Sequence, residues 1–383
     1  MKILVKTLFG LEDVLAEEIK QMGGLKIEKL NRAVSFSGDL HLLYEANLKL
    51  RTALSVLVPV GNFNARDEDS LYKETLKIDW SEHIDLEQTF AIFATTNSTI
   101  FKHSKFAAYR VKDAIVDQFR DKTGRRPSID SKNPDIKINV HIDNHRVSIS
   151  LDSSGETLSR RGYRTDSNEA PINEVLAAGM LALANWNGER DFIDPMCGSG
   201  TIAIEAVMKA YNMAPGKFRE KYAFMNWKNF DEKLWNEIIA KAEKNEKEEV
   251  DCKIYASDKS RRTIQLITTK NVQRCGLQDK IQLDVCAISK LEAKGTDGIL
   301  MMNPPYGERL KEQEINILYR KIGDTLKHQF ENHDAWVISS NADAFKHFGL
   351  KANQRIKLFN GQLECRFNHY ELYAGSKKVQ NVE

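Results

Sequence analysis

The chain has 383 residues, enough for two or three domains, and 42% hydrophobic residues can support real cores. Its net charge is only +2, so any nucleic-acid binding must come from local basic patches, not a global field. No apolar run reaches the roughly 18 residues of a membrane span, and no signal-peptide start is visible. The five cysteines all lie in the C-terminal half without metal-ligand spacing, which suits free thiols in the cytoplasm and no bound metal.

In chain order, residues 2–8 read as a strand and residues 10–22 as a helix, with Leu11, Val14, Leu15, Ile19 and Met22 near helical spacing. Residues 26–36 form a hairpin around Asn31-Arg32. Asp39 caps a helix to Leu50, and residues 53–60 are an apolar strand. This order suggests a small ferredoxin-like module over residues 1–62. Residues 67–80 are a charged helix entering a turn, and residues 89–95 a strand. Ser104 caps a long helix to Lys122, with Phe106, Val111, Ala114, Ile115 and Phe119 inward. Residues 135–142 alternate, Ile136, Ile138, Val140 and Ile142 to one side, and Asn144-His145 turns into a second alternating strand over 147–152. Residues 63–155 are therefore a second α/β module, a half-buried hairpin behind a helix.

Lys102, Lys105, Arg110, Arg125 and Arg126 are its candidate phosphate contacts. Each alone reads as solvated surface; as a cluster they favour RNA. Residues 153–159 are a polar linker. Arg160, Arg161 and Arg164 then crowd around Gly162-Tyr163, where they either hold a nucleic-acid backbone or form salt bridges between domains.

Residues 191–206 read DFIDPMCGSGTIAIEA: a buried strand, an acid (Asp194) at its carboxyl edge, a turn through Cys197, Gly198 and Gly200, and a helix from Thr201. Strand, glycine turn and helix make the ligand cleft of an open parallel sheet, with unpaired N–H groups at the helix start. Residues 215–249 are a long insertion ending in a Lys/Glu-rich run that reads as a solvated helix face. Residues 253–257 are the next strand, ended by Asp258, and residues 281–283 a third, ended by Asp284. Asp258 sits where dinucleotide folds take up ribose hydroxyls, and either acid can instead cap the following helix.

Residues 298–302, GILMM, are a short apolar strand ending in Asn303-Pro304-Pro305-Tyr306. Two prolines stop the strand and fix the backbone. Asn303 supplies a side-chain oxygen, Pro304 a carbonyl, and Tyr306 a flat ring. Two acceptors and a stacking plane suit an –NH2 group on a planar base. Helices over 319–332 and 342–348, a strand over 335–340 and a hairpin around Asn360-Gly361 complete the chain. Cys197 and Cys286 suggest a cytosine-C5 reaction, which needs a thiolate nucleophile, but neither lies in the tetrapeptide.

Residues 194–200 with 303–306 resemble the cofactor and catalytic motifs of class I S-adenosylmethionine-dependent amino-group methyltransferases. LSRRGYR (158–164) followed by EAPINE (169–174) is similar to the junction of THUMP-domain RNA guanine-N2 methyltransferases, the RlmL type. The resemblance covers nearly the whole chain. It implies a Rossmann-like methyltransferase domain over residues 156–383 with a mostly parallel seven-stranded sheet of order 3-2-1-4-5-7-6, preceded by the ferredoxin-like and THUMP modules. It implies S-adenosylmethionine held at the Asp194–Thr201 turn, with Asp258 on the ribose, Asp284 on the adenine and Glu174 nearby, and Asn303, Pro304 and Tyr306 as the catalytic set. The RNA would be 23S rRNA first and tRNA second; a non-catalytic ribosome-assembly factor is the reading from another class. Double-headed relatives carry a second methyltransferase domain, and the chain's end at Glu383 leads us to expect a single-headed form.

Overall fold

The computed structural model describes residues 1–164, 172–305 and 312–373. They divide into two compact units that each recruit discontinuous stretches of chain. Among the described residues, no helix is long and apolar enough to cross a membrane.

The first unit holds residues 1–7, 15–158 and 219–240. Its strands are β1 (Lys2–Lys6), β2 (Leu25–Leu30), β3 (Ala33–Ser37), β4 (Ser55–Asn64), β5 (Thr89–Asn97), β6 (Ser128–Ile129), β7 (Ile136–Asp143) and β8 (Arg146–Asp152). They form one eight-stranded sheet in the order β2-β3-β1-β4-β8-β7-β5-β6. The ferredoxin-like and THUMP strands are thus continuous, joined by antiparallel pairing of β4 with β8 from Leu57↔Asp152 to Asn64↔Arg146. The alternation of β7 is realised: Ile136, Ile138, Val140 and Ile142 are all at 0% exposure. Asn144 takes a left-handed turn (φ 54°) between β7 and β8, where its short polar side chain tolerates that backbone.

Two local expectations are corrected. The helix Ser104–Thr123 is preceded by His103 with no side-chain capping bond, so Ser104 is not its cap. Its buried stripe is Ala107, Val111, Ala114, Ile115 and Phe119, while Phe106 is 57% exposed. The insertion is also more than a solvated face. Within this unit, Phe224 stacks on Tyr44 with ring centres 4.4 Å apart, and Trp235 meets Tyr44 edge-on at 6.0 Å.

The second unit holds residues 8–14, 159–218 and those from 241 onward. Its strands are β9 (Asp191–Asp194), β10 (Ile254–Asp258), β11 (Gln282–Val285), β12 (Gly298–Met302), β13 (Asp334–Ser339), β14 (Gln354–Asn360) and β15 (Leu363–Glu371). The order is β11-β10-β9-β12-β13-β15-β14. β9 to β13 run parallel and β15 returns antiparallel on β13. This is the expected 3-2-1-4-5-7-6 arrangement. All five residues of β12 are buried, as a central strand covered on both faces requires. The 342–348 segment is a single 3-10 turn, Ala344–His347, instead of a full helix.

Candidate active site

Parallel registers decide where the motif residues meet. Leu300 lies opposite Ile193, and Ala256 opposite Asp194. The carboxyl ends of β9, β10 and β12 therefore fall at one sheet edge, and β11 joins them through Asp258↔Val285. The Asp194 turn and the Asn303 turn share that edge, the position where open α/β sheets bind ligands.

The glycine turn is held from its own unit. Gly198 and Gly200 both have positive φ, 52° and 81°, which favours glycine. A Cβ on Gly198 would meet no protein atom within 4 Å, so the space beside the turn is open to a ligand. Asp258 Oδ2 accepts from the Gly198 amide at 3.3 Å, and Oδ1 accepts from the Ser260 amide at 2.8 Å. The cap of the next helix is Ser260, whose side chain accepts from Thr263 N–H. Asp258 is thus not the helix cap; it links strand end to glycine turn.

Two anchors escaped the sequence reading. Thr268 donates through Oγ1 to the Gly198 carbonyl at 2.7 Å, and Asn271 Nδ2 donates to the Ser199 carbonyl at 3.0 Å. They stand three apart, on one face of the helical run that follows β10, and are at 0% and 1% exposure. Thr268 closes a π-helical turn, Ile264–Thr268, which nothing in the sequence pattern signals.

Asp194 is completely buried, and neither carboxylate oxygen has a hydrogen bond of normal geometry. Burial is the main force that pushes its pKa up to about 8, with the Met196 and Ala203 amides opposing and Asp258 adding repulsion. Burial also pushes the Cys197 thiol well up, and raises Cys286, so neither is a ready thiolate. Asp284 is exposed at the end of β11, opposite Ser257. Among the described residues Asn303 Oδ1 is buried and unpartnered, and Pro304 is buried beside it. Tyr306 lies outside the described residues, as do Glu169, Ala170 and Pro171 of the junction.

The junction arginines behave differently from both sequence alternatives. Arg161 is 2% exposed and pairs with Glu205 at 3.2 Å, and Tyr163 OH donates to the same carboxylate at 3.4 Å. Arg164 pairs with Glu174 at 3.1 Å and donates to Ile172 O at 2.9 Å and Thr201 Oγ1 at 3.1 Å. Phosphate cannot reach Arg161, and the Arg164 guanidinium is committed to the protein. Both are removed from the RNA-contact set; they clamp the helices Glu174–Leu183 and Thr201–Ala210 of one unit. Glu174 is buried, which raises its pKa against the pull of Arg164. Arg160 remains exposed.

The basic residues of the first unit do not form one cluster. Lys102 and Lys105 flank the start of the 20-residue helix Ser104–Thr123, and Arg125 and Arg126 follow its end. At 1.5 Å per residue the two groups are about 30 Å apart. Arg110 is bound by Asp69 at 3.1 Å, and Arg125 by Glu87 at 2.8 Å.

The sheet order, the glycine turn and the acids at successive strand ends define a class I S-adenosylmethionine-dependent methyltransferase. Three family descriptions match in series: an RlmL ferredoxin-like domain over residues 2–57, a THUMP domain over 65–152, and an RMKL-like methyltransferase domain over 161–369. The chain belongs to this family of THUMP-containing RMKL-like methyltransferases. It is 39% identical to a putative RNA methyltransferase of Synechocystis, over 95% of both chains. It is 37% identical to a ribosomal RNA large subunit methyltransferase K/L of Syntrophotalea carbinolica, covering 95% of this chain and 52% of that one. The chain thus spans about half the length of its K/L relatives. Among solved structures, SMU.472, a putative methyltransferase complexed with S-adenosylhomocysteine, superposes with a TM-score of 0.88 at 29% identity, covering 98% of this chain and 99% of that one.

Proposed function

We propose that this chain methylates the exocyclic N2 amino group of a guanine in RNA, with 23S rRNA as the substrate and the cytoplasm as its place of action. The observation that carries the reading is Asn303 Oδ1, a buried acceptor unpartnered among the described residues, at the same sheet edge as the glycine turn. A buried carbonyl oxygen without a donor costs about 1–3 kcal/mol. A ligand N–H satisfies it. The K/L names of the longer relatives support ribosomal RNA as the substrate.

The residues present fit S-adenosylmethionine. Asp194 is a buried carboxyl group with no hydrogen bond of normal geometry among the described residues, which a cationic or N–H group of a ligand would satisfy; Asp258 and Asp284 follow at successive strand ends; and the space beside Gly198 is open. In this reading the turn Asp194, Cys197, Gly198, Gly200 and Thr201 cradles the cofactor, with Glu174 shaping its floor through Arg164. Once bound, the cofactor supplies a methyl group already activated on sulfur, so no enzymic nucleophile is needed.

A guanine amino group is a poor nucleophile because its lone pair is delocalised into the ring. Asn303 Oδ1 and the Pro304 carbonyl accept its two N–H groups, pull the nitrogen toward tetrahedral geometry and stabilise positive charge as it develops. Tyr306 stacks on the base, which must leave its helix to enter the cleft. Incubation with tritiated S-adenosylmethionine and separate rRNA and tRNA pools, followed by nucleoside analysis, tests this. N2-methylguanosine from rRNA is expected. Label in tRNA moves the substrate; label on adenine overturns the reading.

A further inference from the structure

The helix Ser104–Thr123 carries a surface feature that the methyl-transfer site does not use. Phe106 and Tyr109 are 57% and 56% exposed, three residues apart and hence neighbours on the helix surface. Cations surround them. Lys102 and Lys105 are exposed, and neither makes an ion pair among the described residues. Lys112 Nζ lies 5.6 Å from the centre of the Tyr109 ring and pairs with Asp113 at 2.8 Å, so the net positive charge of the patch comes from Lys102 and Lys105. The His103 ring adds a second contact to Phe106, with centres 5.9 Å apart.

We propose that the first turns of this helix are a stacking site for unpaired RNA bases, in which Phe106 and Tyr109 take base faces and Lys102 and Lys105 take the flanking phosphates. The proposal rests on the RNA reading above and assigns it a second site, on the first unit. Aromatic rings interleaved with lysines suit a single strand, because every base offers a π face and every linkage an anion. A duplex is the wrong occupant: its base faces are already stacked, and side chains cannot read its deep groove. A protein partner is disfavoured, since lysine is depleted at the centre of protein interfaces.

The test uses the full chain and a labelled 12-nucleotide unpaired RNA, with a duplex of equal length for comparison. Phe106→Ala with Tyr109→Ala should weaken single-strand binding tenfold or more, by analogy with about one lost stack per ring, and leave the salt slope unchanged. Phe106→Trp with Tyr109→Phe should retain affinity. Lys102→Ala with Lys105→Ala should lower the salt slope by about 1.4, at about 0.7 for each phosphate contact. The unfolding midpoint and the near-UV circular dichroism should stay at the wild-type values in all three, which shows that each variant is folded. Equal RNA binding by the double alanine variant and wild type overturns the proposal. So does a double alanine variant whose only change is loss of self-association in sedimentation. The guanine-methylation reading fails by a different sign: wild type yields no methylguanosine from any RNA pool, whatever it binds.

Discussion

Arg161 and Glu205 form a buried ion pair inside the methyltransferase unit, Nε to Oε1 at 3.2 Å, with 2% and 0% of their side chains exposed. The pair ties the segment after the linker to the helix that follows the glycine turn. Removing one partner leaves the other charge buried alone, which costs about 3–5 kcal/mol. Arg161→Ala should lose about that much stability in urea unfolding. Arg161→Met combined with Glu205→Leu should recover most of it, because a well-packed apolar pair removes both desolvation penalties.

Asn303→Ala removes an acceptor offered to the reacting amine. Turnover should fall about a hundredfold or more while cofactor affinity changes little. Single-turnover methyl transfer, with cofactor titration alongside, separates the two. Full activity would remove Asn303 from the chemistry.

Asp194 predicts a pH dependence. Its pKa of about 8 in the folded chain lies above the carboxylate value of about 4 in an unfolded one. Between those values the native state holds a proton that the unfolded state has released. The stability this contributes is therefore full below about pH 4 and is lost as pH rises toward 8. Compared with wild type, cofactor-free Asp194→Asn should show a flatter fall in unfolding midpoint from pH 5 to 8.5, a span set by that linkage. Parallel curves would place the carboxylate in a better-solvated setting.

Thr268→Val keeps the shape of the side chain and deletes the donor to the Gly198 carbonyl. A buried acceptor left unpaired costs about 1–3 kcal/mol, much of which should appear as a loosened turn. Cofactor affinity by calorimetry should weaken about tenfold with the transfer rate at saturation near wild type. An unchanged affinity would mean that Asp258 and Asn271 hold the turn without it.

The sheet edge was legible in the chain because its inner strands are short, mainly apolar runs with a polar residue at or just past the end: Asp194, Asp258 and Asn303; the outer strand Gln282–Val285 is mostly exposed and runs one residue past Asp284. Alternation with helices then required parallel strands, and parallel strands put those ends together. Arg161 is open to two readings in the sequence because its partner Glu205 lies 44 positions away. Nothing local in an arginine cluster tells a buried clamp from a phosphate grip. Phe106 was misplaced for a different reason. The buried stripe 107-111-115-119 begins on an alanine, and a larger apolar neighbour about 100° around the helix drew the assignment to itself. Thr268 and Asn271 were missed because isolated polar residues in a helix look solvated until the strand beside them is placed.

β4 is ten residues long and pairs with β1 on one side and β8 on the other. Excising the ferredoxin-like part, or the THUMP part, would strip one side of the seam and bare a row of backbone donors and acceptors. Such an edge recruits other chains. The two N-terminal modules, separable as sequence families, are therefore portable only as a single piece that also needs the 219–240 stretch packed on Tyr44, and a truncation at the family boundary near residue 60 would be expected to precipitate.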